Sequence, residues 1–511
     1  MAHIQQGEVG IAKATETTNY DADTQILDWS GPDDPENPYN WPKSKKTVIT
    51  AVALFATFST MLNGTIMTVA HEAINERFDV SDANFPHSYW PVTSWAVGGA
   101  LCSFVVLPLM EDFGLRKVFM GTYALLILSL IPQAAARNFA TIVATRFFSG
   151  GCVAIVANST SSVIGNIWGG DVARTVPMSL WITVYLMGSS AGPVVGAAIF
   201  ARLPSWRWIF HCQLIWYAAS FPLYWLLLPE NRGDILLAQR ARQLRREGTD
   251  AYSRLELKNT PIASLVAESL KRPLHMLLTE PVVVVCTFAA ALIIGNIYLF
   301  TQSVEQVFAG LYGWGPVRAG YVQGAVVAGE LLGWPLTLVS ARLYFRSARR
   351  NPEVPGGDTP VPEARLYVAV PAGFVAMSGG MFVYGWTADA GLPWIAPAAG
   401  LALIGAGNNV VITAFADYAV DAYARFAGSA MAAVALGENL CAGFLPLAAR
   451  GLYGGLGFRW ASTLLGFLSL LLSCAPVVLI VWGRDVRRRS PFMKEATLEK
   501  KMEVQVDDGT A

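Results

Sequence analysis

Charge is what this chain has least of. Asp, Glu, Lys and Arg make up 14% of its 511 residues, against about 25% in ordinary soluble domains. That is too little to give a chain of this length a water-soluble surface. The 37 basic and 37 acidic residues cancel to a formal net charge of zero, so global electrostatics give no case for nucleic acid or acidic partners. Cysteine is sparse too. Cys102, Cys152, Cys212, Cys286, Cys441 and Cys474 each sit inside an apolar block and read as small hydrophobes, with neither a disulfide framework nor metal-ligand spacing. Phosphate loop, catalytic-triad spacing and metal cluster are all missing. An enzyme is therefore the least favoured class, ATP is excluded as direct driver, and no cofactor or metal is expected. Met1 to Pro42 has no apolar h-region, which excludes a cleavable signal peptide and predicts a disordered tail. The sequons Asn63-Gly-Thr65 and Asn158-Ser-Thr160 fall inside apolar blocks and read as coincidences.

What the chain does have is long apolar runs, 53% of residues being hydrophobic. A spanning helix needs about 20 such residues. Hydropathy with Gly, Pro and charged breaks predicts spans at 47–70, 88–110, 117–136, 140–166, 176–201 and 208–228, then 281–308, 317–343, 366–387, 393–416, 427–451 and 458–483. The fold class is an all-α membrane protein of twelve helices, two sets of six. The expected organisation is a tail (1–46), a first bundle (47–228), a central loop (229–280), a second bundle (281–483) and a closing tail (484–511).

Basic residues mark one side. They precede span one (Lys43, Lys45, Lys46), follow span two (Arg116, Lys117), and run through the central loop and past span twelve (Arg484, Arg487, Arg488, Arg489). The loop after span one is acidic, with Glu72, Glu76, Asp79 and Asp82. The positive-inside rule puts both termini in the cytosol, as an even number of spans requires. Within the central loop, Ile235–Glu247 is amphipathic and basic. It suits either the membrane surface or a solvated linker helix. Trp206-Arg207-Trp208 opens span six and Phe458-Arg459-Trp460 opens span twelve, with Pro193 and Pro446 upstream in spans five and eleven. This is the trace of a duplicated half.

Four features carry a resemblance. After span two comes Glu111-Asp112-Phe-Gly114-Leu115-Arg116-Lys117, where glycine permits a tight turn and the flanking charges can pair as a latch. Within span four Arg146 opens the run Arg146-Phe-Phe-Ser-Gly-Gly, an arginine costly in hydrocarbon unless paired, in a wet cavity or snorkelling at the interface. Span five holds Gly188-Ser-Ser-Ala-Gly192-Pro193-Val-Val-Gly196, small residues that let helices approach and a proline that bends one. The fourth is distributed: Asn40-Trp41-Pro42, Thr279-Glu280-Pro281, Val420-Asp421-Ala422-Tyr423 and Trp460 to Gly466. Together these resemble the fungal twelve-spanner drug:proton antiporters of the major facilitator superfamily. The resemblance implies a major facilitator fold of two pseudo-symmetric six-helix bundles with a mid-membrane cavity between them. One departure is Leu115, where the family usually has a basic residue.

The resemblance also implies roles. Arg146 is a proton-coupling candidate, and so are the intramembrane acids Glu330 and Glu438. Fungal relatives usually carry arginine at the Glu438 position, and Asn63 stands where a wider antiporter signature often has aspartate. Asn296, Tyr298, Gln302, Asn408 and Asn409 are candidates for the substrate cavity or, about equally, for helix–helix hydrogen bonds. Glu111, Gly114, Arg116, Gly188, Gly192, Pro193 and Gly196 form the expected conformational gate. The leading function is proton-driven export of a small organic compound (a toxin, drug or secondary metabolite). The alternatives are export of a small charged metabolite, an organic acid or a polyamine, and a membrane receptor that transports nothing. Expected partners are the substrate, protons and the lipid bilayer, with the protein a multi-pass monomer of the plasma or vacuolar membrane.

Overall fold

The structure, a computed structural model, describes residues 25–82, 85–106, 110, 113–257, 262–350 and 360–494. Nine helices among the described residues are long and apolar enough to cross a membrane. One of these runs from Ala427 to Arg489 but breaks at Gly457, whose φ of 77° and ψ of 163° are not helical; it therefore comprises spans eleven (427–456) and twelve (458–489). Two further helices lie where spans two and six are expected. Trp90–Val106 is 17 residues long, and Trp206–Leu227 carries Arg207, His211 and Gln213 among its aromatics. The other spans are one (Lys43–Thr65), three (Leu115–Ala134), four (Phe139–Ile167), five (Asp171–Arg202), seven (Pro281–Tyr312), eight (Pro316–Ser347), nine (Pro362–Thr387) and ten (Ile395–Tyr423).

Local chemistry sets these boundaries. The Asn138 side chain accepts the Thr141 amide at 2.8 Å and caps span four, as a short polar N-cap does. Pro281 occupies the first turn of span seven, where its missing amide costs nothing. That helix stops at Gly313, left-handed at φ 63°, the usual exit for a glycine C-cap.

The helices alternate in direction, as contacts at the two ends show. At the end near the chain termini, Trp168 closing span four bonds Thr50 in span one at 2.9 Å. Tyr423 closing span ten bonds Glu280 before span seven at 3.1 Å. Two of the motif fragments thus meet. Arg365 opening span nine holds Asp417 and Asp421 at 3.1 and 2.9 Å. This is called the terminal face below. At the opposite face Arg207 of span six bonds Ala136 O after span three at 2.9 Å, and Arg459 of span twelve pairs with Asp389 after span nine. The two Trp/Phe-Arg-Trp repeats therefore do equivalent work in equivalent places.

The glycine contacts repeat in the same way. A Cβ on Gly150 of span four would lie 1.9 Å from Trp95 O of span two, and one on Gly329 of span eight 1.9 Å from Ala402 O of span ten. Spans two and four are thus pressed together as spans eight and ten are, backbone to backbone, the way small residues drive helix packing in lipid.

Part of the segment expected as a tail is folded. Gln25–Ile26 pairs in parallel with Ala251–Tyr252 of the central loop, and Asp34 meets Arg240 at 3.1 Å. The amphipathic helix is Gly233–Arg246 and buries Ile235, Ala238 and Ala241. Its apolar face therefore serves packing against the protein.

Candidate substrate and proton pathway

Span four is long enough to put Arg146 two turns inside the helix, and the side chain is fully buried. It does not snorkel. Its Nη1 donates to Asn63 O at 2.5 Å and Asn63 Oδ1 at 3.2 Å, Nη2 to Gly64 O at 2.7 Å and Nε to Pro91 O at 3.3 Å. Asn63 and Gly64 lie in the last turn of span one, where helix carbonyls lack intrahelical partners and carry the negative end of the dipole. Arg146 thus caps that helix end. Among the described residues every oxygen it bonds is uncharged. Asn63 is shared further: its Oδ1 accepts Trp95 Nε1 at 2.9 Å and its Nδ2 donates to Gln213 Oε1 at 2.7 Å. The Trp95 ring stacks on Tyr298 of span seven at 5.9 Å, so the network touches the other half.

A second network crosses between the halves. Glu330 of span eight is fully buried, and its Oε1 accepts Ser190 Oγ of span five at 2.7 Å. Its other oxygen has no partner among the described residues. Asn409 of span ten donates to Glu330 O at 2.6 Å and to Thr183 Oγ1 of span five at 3.0 Å. Asn409 therefore holds the halves together. Asn296, Tyr298, Gln302 and Asn408 are also buried. Each keeps a polar side-chain atom without a partner among the described residues, whereas Asn409 bonds two neighbouring helices.

Glu438 of span eleven differs from Glu330 in being only half-buried, and among the described residues it has no ion pair or hydrogen bond. It lies within electrostatic range of Tyr185 on span five. Tyr185, Asn158 and Asn439 are half-buried as well. Further along the two helices Gly188 and Ala442 are buried. The halves also meet toward the opposite face. Thr93 bonds Gly443 O at 2.7 Å, Arg450 reaches Asp82 O, and His71 approaches Glu305 at 3.6 Å. Glu72 joins the last pair, the three side chains offering atoms within 4.8 Å of one another, with His71 Nδ1 engaged by Thr68 O.

Of the gate, Glu111 lies outside the described residues. Gly114 has the positive φ, 91°, that its turn needs. Arg116 bonds Trp225 O at 2.7 Å, and the amides of Leu115 and Arg116 reach the Glu230 carboxylate at 3.3 and 3.0 Å. The carboxylate at this helix start thus comes from the same half. The span-five glycines seat span one: a Cβ on Gly188 would meet Met61, one on Gly192 would lie 2.0 Å from Thr65 Oγ1 and one on Gly196 2.2 Å from Ile66 O. The carbonyl of Pro193 lies against Gly320 of span eight. Trp95, Gln213, Ser190, Thr183, Tyr185 and Glu230 were not singled out from the sequence. Asn63 was noted there only as standing where a wider antiporter signature often has aspartate, and its bond to Arg146 was not foreseen.

Comparison with known proteins agrees with this architecture. The Major Facilitator Superfamily profile matches residues 52–446. The citrinin biosynthesis cluster MFS transporter of Monascus ruber is 30% identical over 92% of this chain and 93% of its own. An efflux pump of Floropilus chiversii is 29% identical over 95% of this chain and 89% of its own. A cycloheximide resistance protein of Candida maltosa is 28% identical over 91% and 86%. Among solved structures, the xylose transporter of E. coli in a partially occluded inward-open conformation superposes with a TM-score of 0.60 at 15% identity, covering 86% of this chain and 97% of its own. That likeness bears on the fold alone.

Proposed function

Because the chain belongs to the Major Facilitator Superfamily, we propose that it is a proton-coupled antiporter exporting a small organic compound, a toxin, drug or secondary metabolite. Relatives named for a biosynthesis cluster, for efflux and for drug resistance support the export of such compounds. Proton coupling rests on one observation. Glu330 is a carboxyl buried between the halves, bonded across to Ser190 through one oxygen and unpartnered at the other.

A buried unpaired carboxylate is expensive, and protonation removes that expense. The neutral acid lets the halves close over Glu330, while the anion favours the arrangement that gives it water. A proton taken up from one side is thereby released to the other as the halves rock. Reading the terminal face as cytosolic, Thr93–Gly443 and His71–Glu305 join the halves toward the outside. Arg146 stays fixed in span one's last turn and gives that half a rigid positive centre. Both termini lie in the cytosol in this reading, with the protein a plasma-membrane monomer.

The test is transport by purified full-length protein in proteoliposomes with an imposed pH gradient and no nucleotide. The gradient should drive concentrative transport and a protonophore should end it. Transport that needs ATP while the gradient is held would defeat the reading.

A further inference from the structure

We propose that Glu438 recognises a basic nitrogen on the transported compound, so that this chain selects amphiphilic cations, an apolar or aromatic body bearing an ammonium group. The inference deepens the export reading, on which it rests, by naming the substrate class for the same cavity.

Placement comes from helix geometry. On span eleven, Gly437 packs on Thr287, and Cys441 and Leu445 on Gly295, all toward span seven. Asn439 packs on Gly99 and Gly443 on Ala96 and Thr93, toward span two. Leu440 and Phe444 are 42% and 48% exposed and mark the lipid side. At about 100° per residue, Glu438 falls on the remaining arc, between spans seven and two, which faces the space between the halves. Its half-burial there is exposure to an interior space. Across that space lies Tyr185, whose ring packs on Trp181 at 5.6 Å.

Chemistry follows from placement. The acidic side chain has no cationic partner among the described residues, and the interior cation, Arg146, is held by oxygens of Asn63, Gly64 and Pro91. A carboxylate that faces the space between the halves, within electrostatic range of Tyr185, is complementary to an ammonium group, which gains from the charge and from an aromatic neighbour. Glu330 does not offer this, since it is fully buried and committed to Ser190. The two acids thus divide the work: one moves a proton, the other reads charge. An organic anion is disfavoured at such a site.

The test is binding without any gradient, using full-length protein in phosphatidylcholine nanodiscs and three probes on one phenylbutyl body: 4-phenylbutyltrimethylammonium, 4-phenylbutan-1-ol and 5-phenylpentanoate. The quaternary nitrogen cannot exchange a proton, so recognition is read apart from coupling. Wild type should bind the ammonium at least about tenfold more tightly than the alcohol, with the carboxylate weakest. Glu438→Gln should lose about tenfold for the ammonium and keep the alcohol unchanged, and Glu438→Asp should retain part of the preference. Equal binding of ammonium and alcohol, tighter binding of the carboxylate, or an unaltered preference in Glu438→Gln overturns the proposal. The wild-type order decides even if a variant misfolds. Loss of the preference with gradient-driven transport intact sinks this inference alone; loss of gradient-driven transport with the preference intact sinks the coupling alone.

Discussion

Arg146 and Asn63 form a closed pair at the base of span one, the guanidinium bonding both the backbone carbonyl and the side-chain oxygen of the asparagine at 2.5 and 3.2 Å. Arginine suits this place because its planar fork holds donors in fixed directions far enough apart to reach both span one and Pro91 O, which the compact lysine ammonium does not. Arg146→Ala is expected to abolish concentrative export while the protein still reaches the membrane. Arg146→Lys is expected to lose most of it. Transport assays alongside membrane fractionation check both; full export by Arg146→Ala would show that the pair only packs.

Asn63 serves Arg146, Trp95 and Gln213 together. Asn63→Ala strands those buried groups, at about 1–3 kcal/mol for an unsatisfied partner. A lower midpoint of thermal unfolding in detergent is expected, larger than for Asn158→Ala, whose amide bonds only its own helix at Ala154 O.

The contact between spans one and five is tight enough to test by one methyl group. A Cβ on Gly192 would lie 2.0 Å from Thr65 Oγ1 and 2.8 Å from the Ile66 amide, so backbone must move, at about 1–3 kcal/mol for overpacking. Gly192→Ala should lower stability and slow export. Gly165→Ala, at a helix position with open space around it, should neither lower stability nor slow export. Equal behaviour of the two in a thermal scan would contradict the packing described.

The central loop has its own pH response. Bonds from Arg245, and then from Arg242, hold the Glu256 carboxyl down to about 2, against burial that acts the other way. A carboxyl lowered on folding stabilises the fold above its ordinary value and loses that contribution as pH falls through the folded one. Packing of the 251–256 turn on the Gly233–Arg246 helix should therefore hold at neutral pH and weaken only below about 4.5, toward 2. Limited proteolysis of the loop across that range checks this, and Glu256→Gln should show the acid pattern already at neutral pH.

Much of the fold could be read from the sequence because lipid imposes a simple rule on it: apolar runs of sufficient length, broken by Gly, Pro and charge. The halves were visible in Arg207 and Arg459, which turn out to make equivalent loop contacts. The site was less legible. Glu330 and Arg146 stand out because charge is rare in a membrane, but Ser190, Thr183 and Gln213 are ordinary polar residues whose importance depends on which helix lies opposite. Glu230 was hidden for the same reason, since the cap of span three comes from the far end of span six. The folded 25–42 segment was missed because its composition is polar, and its partners, Ala251 and Arg240, lie more than 200 residues away.

The central claim is that Glu330 carries the coupled proton, and Glu330→Gln in proteoliposomes tests it most directly. Its amide keeps the size of the side chain and a bond to Ser190 but cannot release a proton. A pH gradient should then fail to drive concentrative transport, while substrate exchange across the membrane at equal pH continues. Gradient-driven concentrative transport at the wild-type rate by Glu330→Gln would contradict the account.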